Sequence, residues 1–200
     1  MTEHWDDEAV AAACQQIALD AGHESLSAWS SDDDAQKQAD LVRGEVIRLM
    51  DHDVKATGLK SLQGLIWRSG FESGEMVAHV YDDVAPALLQ WKQANLDIRI
   101  YSSGSIGAQK LFFGHTEKGD LLNFFTEHYD TTIGSKREPI SYERIAKGFG
   151  LPADEILFIS DVVAELDAAK SAGLQTVLSV RPGNAPVSYT HLTLPTICSV

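Results

Sequence analysis

The sequence predicts an α/β protein, a doubly wound parallel sheet preceded by a separate helical unit. Three observations predict it. The first 80 residues carry helical periodicity and no convincing strand. Beyond them, short apolar runs at 98–101, 156–160 and 176–180 alternate with helical stretches, the pattern of strands joined by crossover helices. The first two of these runs open directly onto Ser102 and Asp161, and ligands of open α/β sheets sit at the carboxyl ends of strands.

Each element has a local reason. Residues 6–21 read as a helix: Asp6, Asp7 and Glu8 suit its positive end, Val10, Cys14 and Ile17 share one face, and Gly22 can stop it. A second helix starts near Ser31, with Ala35, Val42, Val46, Leu49 and Met50 as its apolar stripe. The run Asp32, Asp33, Asp34 in front of it reads as a solvated helix start rather than a binding patch. A third helix, 57–67, turns Leu62, Leu65 and Ile66 inward, and Gly70 and Gly74 bracket a loop. Asp82 or Asp83 caps the next helix, which has Pro86 in its first turn and Val84, Leu88 and Trp91 as its buried stripe.

Residues 98–101 then form a buried strand that opens into SSG and a helix at 105–113. Residues 121–125 make a short apolar helical turn, and 128–132 a short strand leading into GSKREP. Pro139 starts a helix with Tyr142, Ile145, Ala146 and Phe149 inward, and Gly150 ends it. Residues 156–160 form an unbroken buried strand, 165–172 a helix, and 176–180 the next strand.

Composition narrows the function. The net charge of −13 disfavours nucleic acid and anionic membrane surfaces as partners. No apolar run approaches the roughly 20 residues of a membrane-crossing helix. The opening MTEHWDDEAV lacks the basic and apolar regions of a signal peptide. With only Cys14 and Cys198, no disulfide framework exists, so a reducing, cytoplasmic setting is expected. A monomer acting on a small molecule fits these properties.

Three strand ends carry candidate chemistry. The Ser102 hydroxyl can donate to a phosphoryl oxygen with help from following backbone amides, or it can simply cap a helix. Lys136 follows a Gly-Ser turn; it can neutralise charge on a phosphoryl group, or be an ordinary surface lysine. Asp161 follows the most apolar strand, where a carboxylate needs a partner. Mg²⁺ is a natural one, since it takes carboxylate and phosphate oxygens, and capping the next helix is the other. Glu165 lies four residues on. The histidines show no metal-ligand spacing, His115 reads as structural, and SSGSIG matches no dinucleotide or P-loop motif.

Together these strand ends resemble the haloacid dehalogenase superfamily. Within it, DVKATGLKSLQGLIWRSGFESG, HVYDDVAPALLQW, IYSSGSIGAQKLFFGHTEKGDL, YDTTIGSKRE, ILFISDVVAELDAA and VRPGNAP closely resemble the acireductone synthase (enolase-phosphatase) family. The resemblance implies Mg²⁺-dependent enolisation and dephosphorylation of 2,3-diketo-5-methylthiopentyl 1-phosphate in methionine salvage. It implies that Ser102 and Ser103 hold the phosphate, Lys136 balances its charge and Asp161 binds Mg²⁺. Glu165 and Gly104 take supporting roles. Residues 1–80 correspond to a helical cap and 81–187 to the α/β core. The family opens with a strand ending in Asp-x-Glu-Gly-Thr, whose first aspartate is the nucleophile, and nothing in this chain corresponds to it. The resemblance therefore implies an N-terminally truncated member, inactive as it stands, with an incomplete sheet. Another phosphatase of the superfamily and a non-catalytic phosphate- or partner-binding homologue are the alternatives.

Residues 188–200 stand apart. All 45 charged residues, 29 acidic and 16 basic, precede Pro182. The stretch SYTHLTLPTICSV has no helical or strand periodicity and resembles translated adapter or vector sequence. It is expected to be non-native and loosely docked or disordered, with no role for Cys198.

Overall fold

The structure is a computed structural model that describes residues 7–31, 34–182 and 196–198. The chain divides into two compact units, Met1–Val77 and Ala78–Val200.

The first unit is helical: α1 (Glu8–Asp20), α2 (Leu26–Ser30), α3 (Ala35–Asp51) and α4 (Thr57–Glu72). Side chains cap three of them. Asp7 accepts from Ala9 N, Ser25 from Ala28 N, and Asp34 from Gln36 N and Lys37 N. Asp34 thus takes the helix-start role expected of the aspartate run; Asp32 and Asp33 lie outside the described residues. The core gathers Cys14 and Ile17 of α1, Leu26 of α2, Val42 of α3 and Leu62 of α4.

α4 has no cap of its own. Asp20, at the end of α1, supplies one instead, accepting from Gly58 N at 2.7 Å. The two helices meet so closely there that a Cβ on Gly58 would stand 2.5 Å from the backbone nitrogen of Ile17. Several expected inward positions are corrected. Ala35 is exposed, and Met50 and Ile66 are 58% and 49% exposed, because Leu49 and the Leu59–Leu62 stripe already fill the helix contacts. The helix expected over 57–67, α4, runs on to Glu72, so Gly70 lies inside it against Met76 and only Gly74 belongs to the turn. The short α2 has no counterpart among the expected elements.

The second unit is α/β: α5 (Val84–Gln93), β1 (Arg99–Tyr101), α6 (Ile106–Gly114), a 3₁₀ turn (Leu122–Phe124), β2 (Glu127–Tyr129), α7 (Pro139–Phe149), a 3₁₀ turn (Ala153–Glu155), β3 (Leu157–Ser160), α8 (Val163–Ser171), β4 (Gln175–Val180) and β5 (Thr196–Cys198). Each ladder among the described residues is parallel. Among the described residues the strands fall into two sheets, β1-β2 and β3-β4-β5, rather than one. Aromatic packing on α7 bridges them: Tyr142 stands edge-on to Tyr101 of β1, with centroids 5.6 Å apart, and to Phe158 of β3 at 4.9 Å. Around Tyr142 lie Ala146, Ile156, Ala168, Ala169 and Leu174.

Two strands differ from expectation. β1 is half-buried throughout, and β3 alternates, with Leu157 50% and Ile159 36% exposed. The reason is pairing: among the described residues β1 has only β2 beside it and β3 only β4, so each keeps an open edge. Neither Asp82 nor Asp83 caps α5 through its side chain. They pair with Lys118 at 2.6 Å and Arg181 at 2.7 Å, charge-assisted contacts that compete with a cap. In the tail, Thr196–Cys198 extends the sheet beside β4, in register Leu178 to Thr196, against the expectation of no strand there. Residues 188–195 and 199–200 lie outside the described residues. No helix among the described residues is long and apolar enough to cross a membrane.

Candidate active site

The site builds from the ends of β1, β2 and β3. Past Tyr101, Ser102 N donates to Tyr129 O at 3.1 Å, so the ladder with β2 persists one residue beyond the strand. The chain then turns, and Gly104 N donates back to Ser102 Oγ at 3.1 Å. That bond uses an acceptor site of Ser102 and leaves its O–H as a donor. It also takes up the Gly104 amide, one of the backbone donors expected to assist. Ser103 and Gly104 are exposed. Ser102 does not cap α6. Ser105 does, accepting from Ala108 N at 3.2 Å.

Asp130, the residue after β2, was not singled out by sequence reasoning. Its carboxylate accepts from Thr132 N at 2.9 Å, Thr132 Oγ1 at 2.6 Å and Ile106 N at 3.3 Å. The Thr132 hydroxyl and amide hold its proton affinity below the usual carboxylate range. It thus fastens the first amide of α6 to the end of β2. An aspartate followed by two threonines directly after a strand is the signal that could have found it, since that composition favours a side-chain-closed turn.

Lys136 sits on a loop held by an unbroken set of side-chain donors. Arg144 Nη1 donates to Ile133 O at 2.6 Å and Tyr101 O–H to Gly134 O at 2.9 Å. Ser141 O–H donates to Ser135 O at 2.7 Å and Tyr142 O–H to Lys136 O at 2.6 Å. Four consecutive carbonyls are fixed in this way. Gly134 is required at the turn: its φ is +144°, and a Cβ there would meet Ser141 Oγ at 2.2 Å.

The lysine side chain is not an ordinary surface one. Its Nζ lies 2.6 Å from Glu165 Oε2, with the two side chains 21% and 11% exposed, and 5.8 Å from the Tyr101 ring centroid. Glu165 Oε2 also accepts from Ser160 O–H at 2.8 Å, and Ser160 Oγ accepts from Val162 N at 3.1 Å. Ser160 thus closes the turn that leads into α8. The structure joins Lys136 to Glu165 directly, and to the Ser102 loop through Tyr101, the residue before it.

Asp161 is exposed and follows β3 immediately. The expected cost of a carboxylate on a buried strand does not arise, because this end of β3 is open to solvent. Among the described residues no group of three His, Cys, Asp or Glu side chains could hold a metal ion. Glu165 is engaged by Lys136, and the Asp161 carboxylate is an exposed hard-oxygen group. That fits Mg²⁺ of the kind that keeps several waters and takes substrate phosphate, and not a dedicated protein cage. His115, expected to be structural, places Nδ1 2.9 Å from Leu111 O at the end of α6.

The chain is similar to known proteins in sequence and in fold. A family model described as haloacid dehalogenase-like hydrolase matches residues 2–173. An enolase-phosphatase E1 of Drosophila willistoni is 42% identical over 189 residues, covering 94% of this chain and 76% of that protein. One from Pseudomonas aeruginosa is 44% identical over 183 residues, covering 92% and 69%. The crystal structure of the UTR4 protein of Saccharomyces cerevisiae superposes with a TM-score of 0.72 at 32% identity, covering 98% of this chain and 91% of that one.

Proposed function

The chain belongs to the haloacid dehalogenase-like hydrolases and, among them, to the enolase-phosphatases, and on that premise we propose that its site serves the acireductone synthase reaction. In that reaction 2,3-diketo-5-methylthiopentyl 1-phosphate is enolised and then loses phosphate. One observation carries the assignment of roles. The Lys136 ammonium lies over Tyr101, the residue before Ser102, while Glu165 holds it from the β3 side. A hydroxyl donor and a fixed cation thus serve one strand end, in a chain whose net charge of −13 otherwise repels a phosphate ester.

In this reading Ser102 and Ser103 hold the phosphoryl oxygens and Gly104 keeps their loop compact. Lys136 balances the phosphate charge and Glu165 orients Lys136. Asp161 gives one carboxylate to Mg²⁺, which when bound neutralises charge on the phosphate and polarises its oxygens. The helical unit acts as a cap that keeps water from the enol. The protein acts as a cytoplasmic monomer on a small molecule.

The chain contains no Asp-x-Glu-Gly-Thr run. We infer that the 200-residue polypeptide by itself binds phosphate without turning the ester over, since binding groups alone leave most of the barrier in place. The test is phosphate release from the diketo phosphate by two proteins: the polypeptide alone, and the polypeptide joined to a strand ending in Asp-x-Glu-Gly-Thr. The first should release none. The second should release phosphate with Mg²⁺ present, and Lys136→Ala and Asp161→Ala should each lower the rate by about 100-fold or more. Ser102→Ala should cost less, as one neutral donor among several. Release by the polypeptide alone overturns the inactivity, and equal rates on unrelated phosphate monoesters overturn the substrate.

A further inference from the structure

The serine loop has an anchor that the roles above leave unused, the side chain of Gln109. It lies on α6 and is 5% exposed. Its Nε2 donates to Gly104 O at 2.8 Å and to Tyr129 O at 2.9 Å, so both amide hydrogens are spent on the loop and on the end of β2. The reverse orientation would set an amide oxygen against two carbonyl oxygens, so the surroundings decide which end is nitrogen. The remaining Oε1 lies 3.1 Å from His128 Nδ1. An oxygen can only accept there, so Nδ1 carries the hydrogen. His128 is itself 7% exposed and stands edge-on to Phe125. Burial, and then nearby Lys110, lower its proton affinity against the opposing pull of Glu127.

The consequence lies in the next peptide unit. A trans peptide points its C=O and N–H in opposite directions. With the Gly104 carbonyl drawn inward onto Gln109, the N–H of Ser105 points the other way, away from Gln109, in the exposed stretch Ser103–Ser105. Without that anchor the peptide is free to turn its carbonyl toward the site, where it would repel an anion.

We propose that Gln109 is the positioning residue of the phosphate-binding loop, and that His128, hydrogen-bonded through Nδ1–H, holds Gln109 in the required orientation. This rests on the reading of the Ser102 loop as the phosphate holder.

The test is titration of the ¹⁵N-labelled 200-residue chain with inorganic phosphate, followed by NMR. In the unaltered chain the amides of residues 102–105 shift, and the His128 imidazole shows its hydrogen on Nδ1. Gln109→Met keeps length and volume but removes both donors. It should weaken phosphate binding about tenfold, the loss of one well-placed hydrogen-bonded group. It should also abolish the Ser105 amide response and leave the Lys136 and Glu165 resonances in place, which general unfolding would not. If the variant fails to fold, the His128 tautomer and the Ser105 response of the unaltered chain still decide. A hydrogen on Nε2, or a Ser105 amide that ignores phosphate while Ser102 responds, overturns the proposal. So does a Gln109→Met chain that binds as tightly as the original. If no amide at 102–105 responds in the unaltered chain, the phosphate reading of the loop falls, and the positioning role falls with it.

Discussion

Tyr142→Phe removes one oxygen from the largest fully buried side chain among the described residues of the α/β unit. Tyr142 is 0% exposed, and its O–H donates to Lys136 O at 2.6 Å. Phe has the same shape without the oxygen, so no cavity worth a transfer penalty opens, and the loss is the hydrogen bond alone. Its carbonyl partner belongs to a half-buried residue that water can partly reach, which puts the cost at about 1–2 kcal/mol, in the lower part of the range for an orphaned acceptor. For a unit of this size that is a fall in melting temperature of roughly 3–8 °C. The pH dependence is a second signature. Burial, and then Glu165 and Tyr101, raise the Tyr142 phenol far above its ordinary range, and burial raises Tyr101 as well. Below the unfolded value of about 10 both states keep the proton and stability is level. Above it the unfolded chain releases the proton while the folded chain retains it. Stability then falls with rising pH, by at most about 1.4 kcal/mol per unit for each tyrosine. Tyr142→Phe should remove one of the two contributions. Thermal unfolding followed by near-ultraviolet circular dichroism between pH 7 and 11 measures both effects. A variant that melts with the original at pH 7 and keeps the full alkaline fall would show that the hydroxyl neither holds the Lys136 loop nor is buried as described.

Gly58→Ala should destabilise the helical unit by about 2–3 kcal/mol, because the added Cβ would sit 2.5 Å from backbone that cannot yield; chemical denaturation reads this, and an unchanged midpoint would place α1 and α4 farther apart. Cys14 is 1% exposed, and burial pushes its thiol up to about 11, so at pH 8 a disulfide reagent should modify it only after denaturant is added; rapid labelling of the folded chain at Cys14, located by peptide mapping, would contradict its burial.

Much of the architecture was legible because it rests on local rules. The spacing of Val10, Cys14 and Ile17, at i, i+4 and i+7, is enough to specify a helix with one apolar face, whatever it packs against. Pro139 and Gly150 bound α7 through backbone geometry that is the same in any fold. The polar residues at strand ends marked Ser102, Lys136 and Asp161, since a short apolar strand in an α/β protein ends where ligands bind. Exposure was not legible. Leu157 and Ile159 read as buried from composition, yet half of β3 faces outward, because burial depends on which strand lies alongside and not on the strand's own residues.

Nor could the sequence assign the partners of the site. Lys136 and Glu165 are separated by 29 positions, Tyr101 and Gly134 by 33, and Gln109 and His128 by 19. The amino-acid sequence by itself determined the helices, the strands and the chemical types available at their ends, because caps, periodicity and turn residues act over a few positions. Only the tertiary structure decided that Asp20 caps a helix 38 residues away, and that four side chains from β1 and α7 hold the Lys136 loop. A hydrogen bond is made by whichever donor arrives within about 3 Å, and arrival is set by packing across the whole unit.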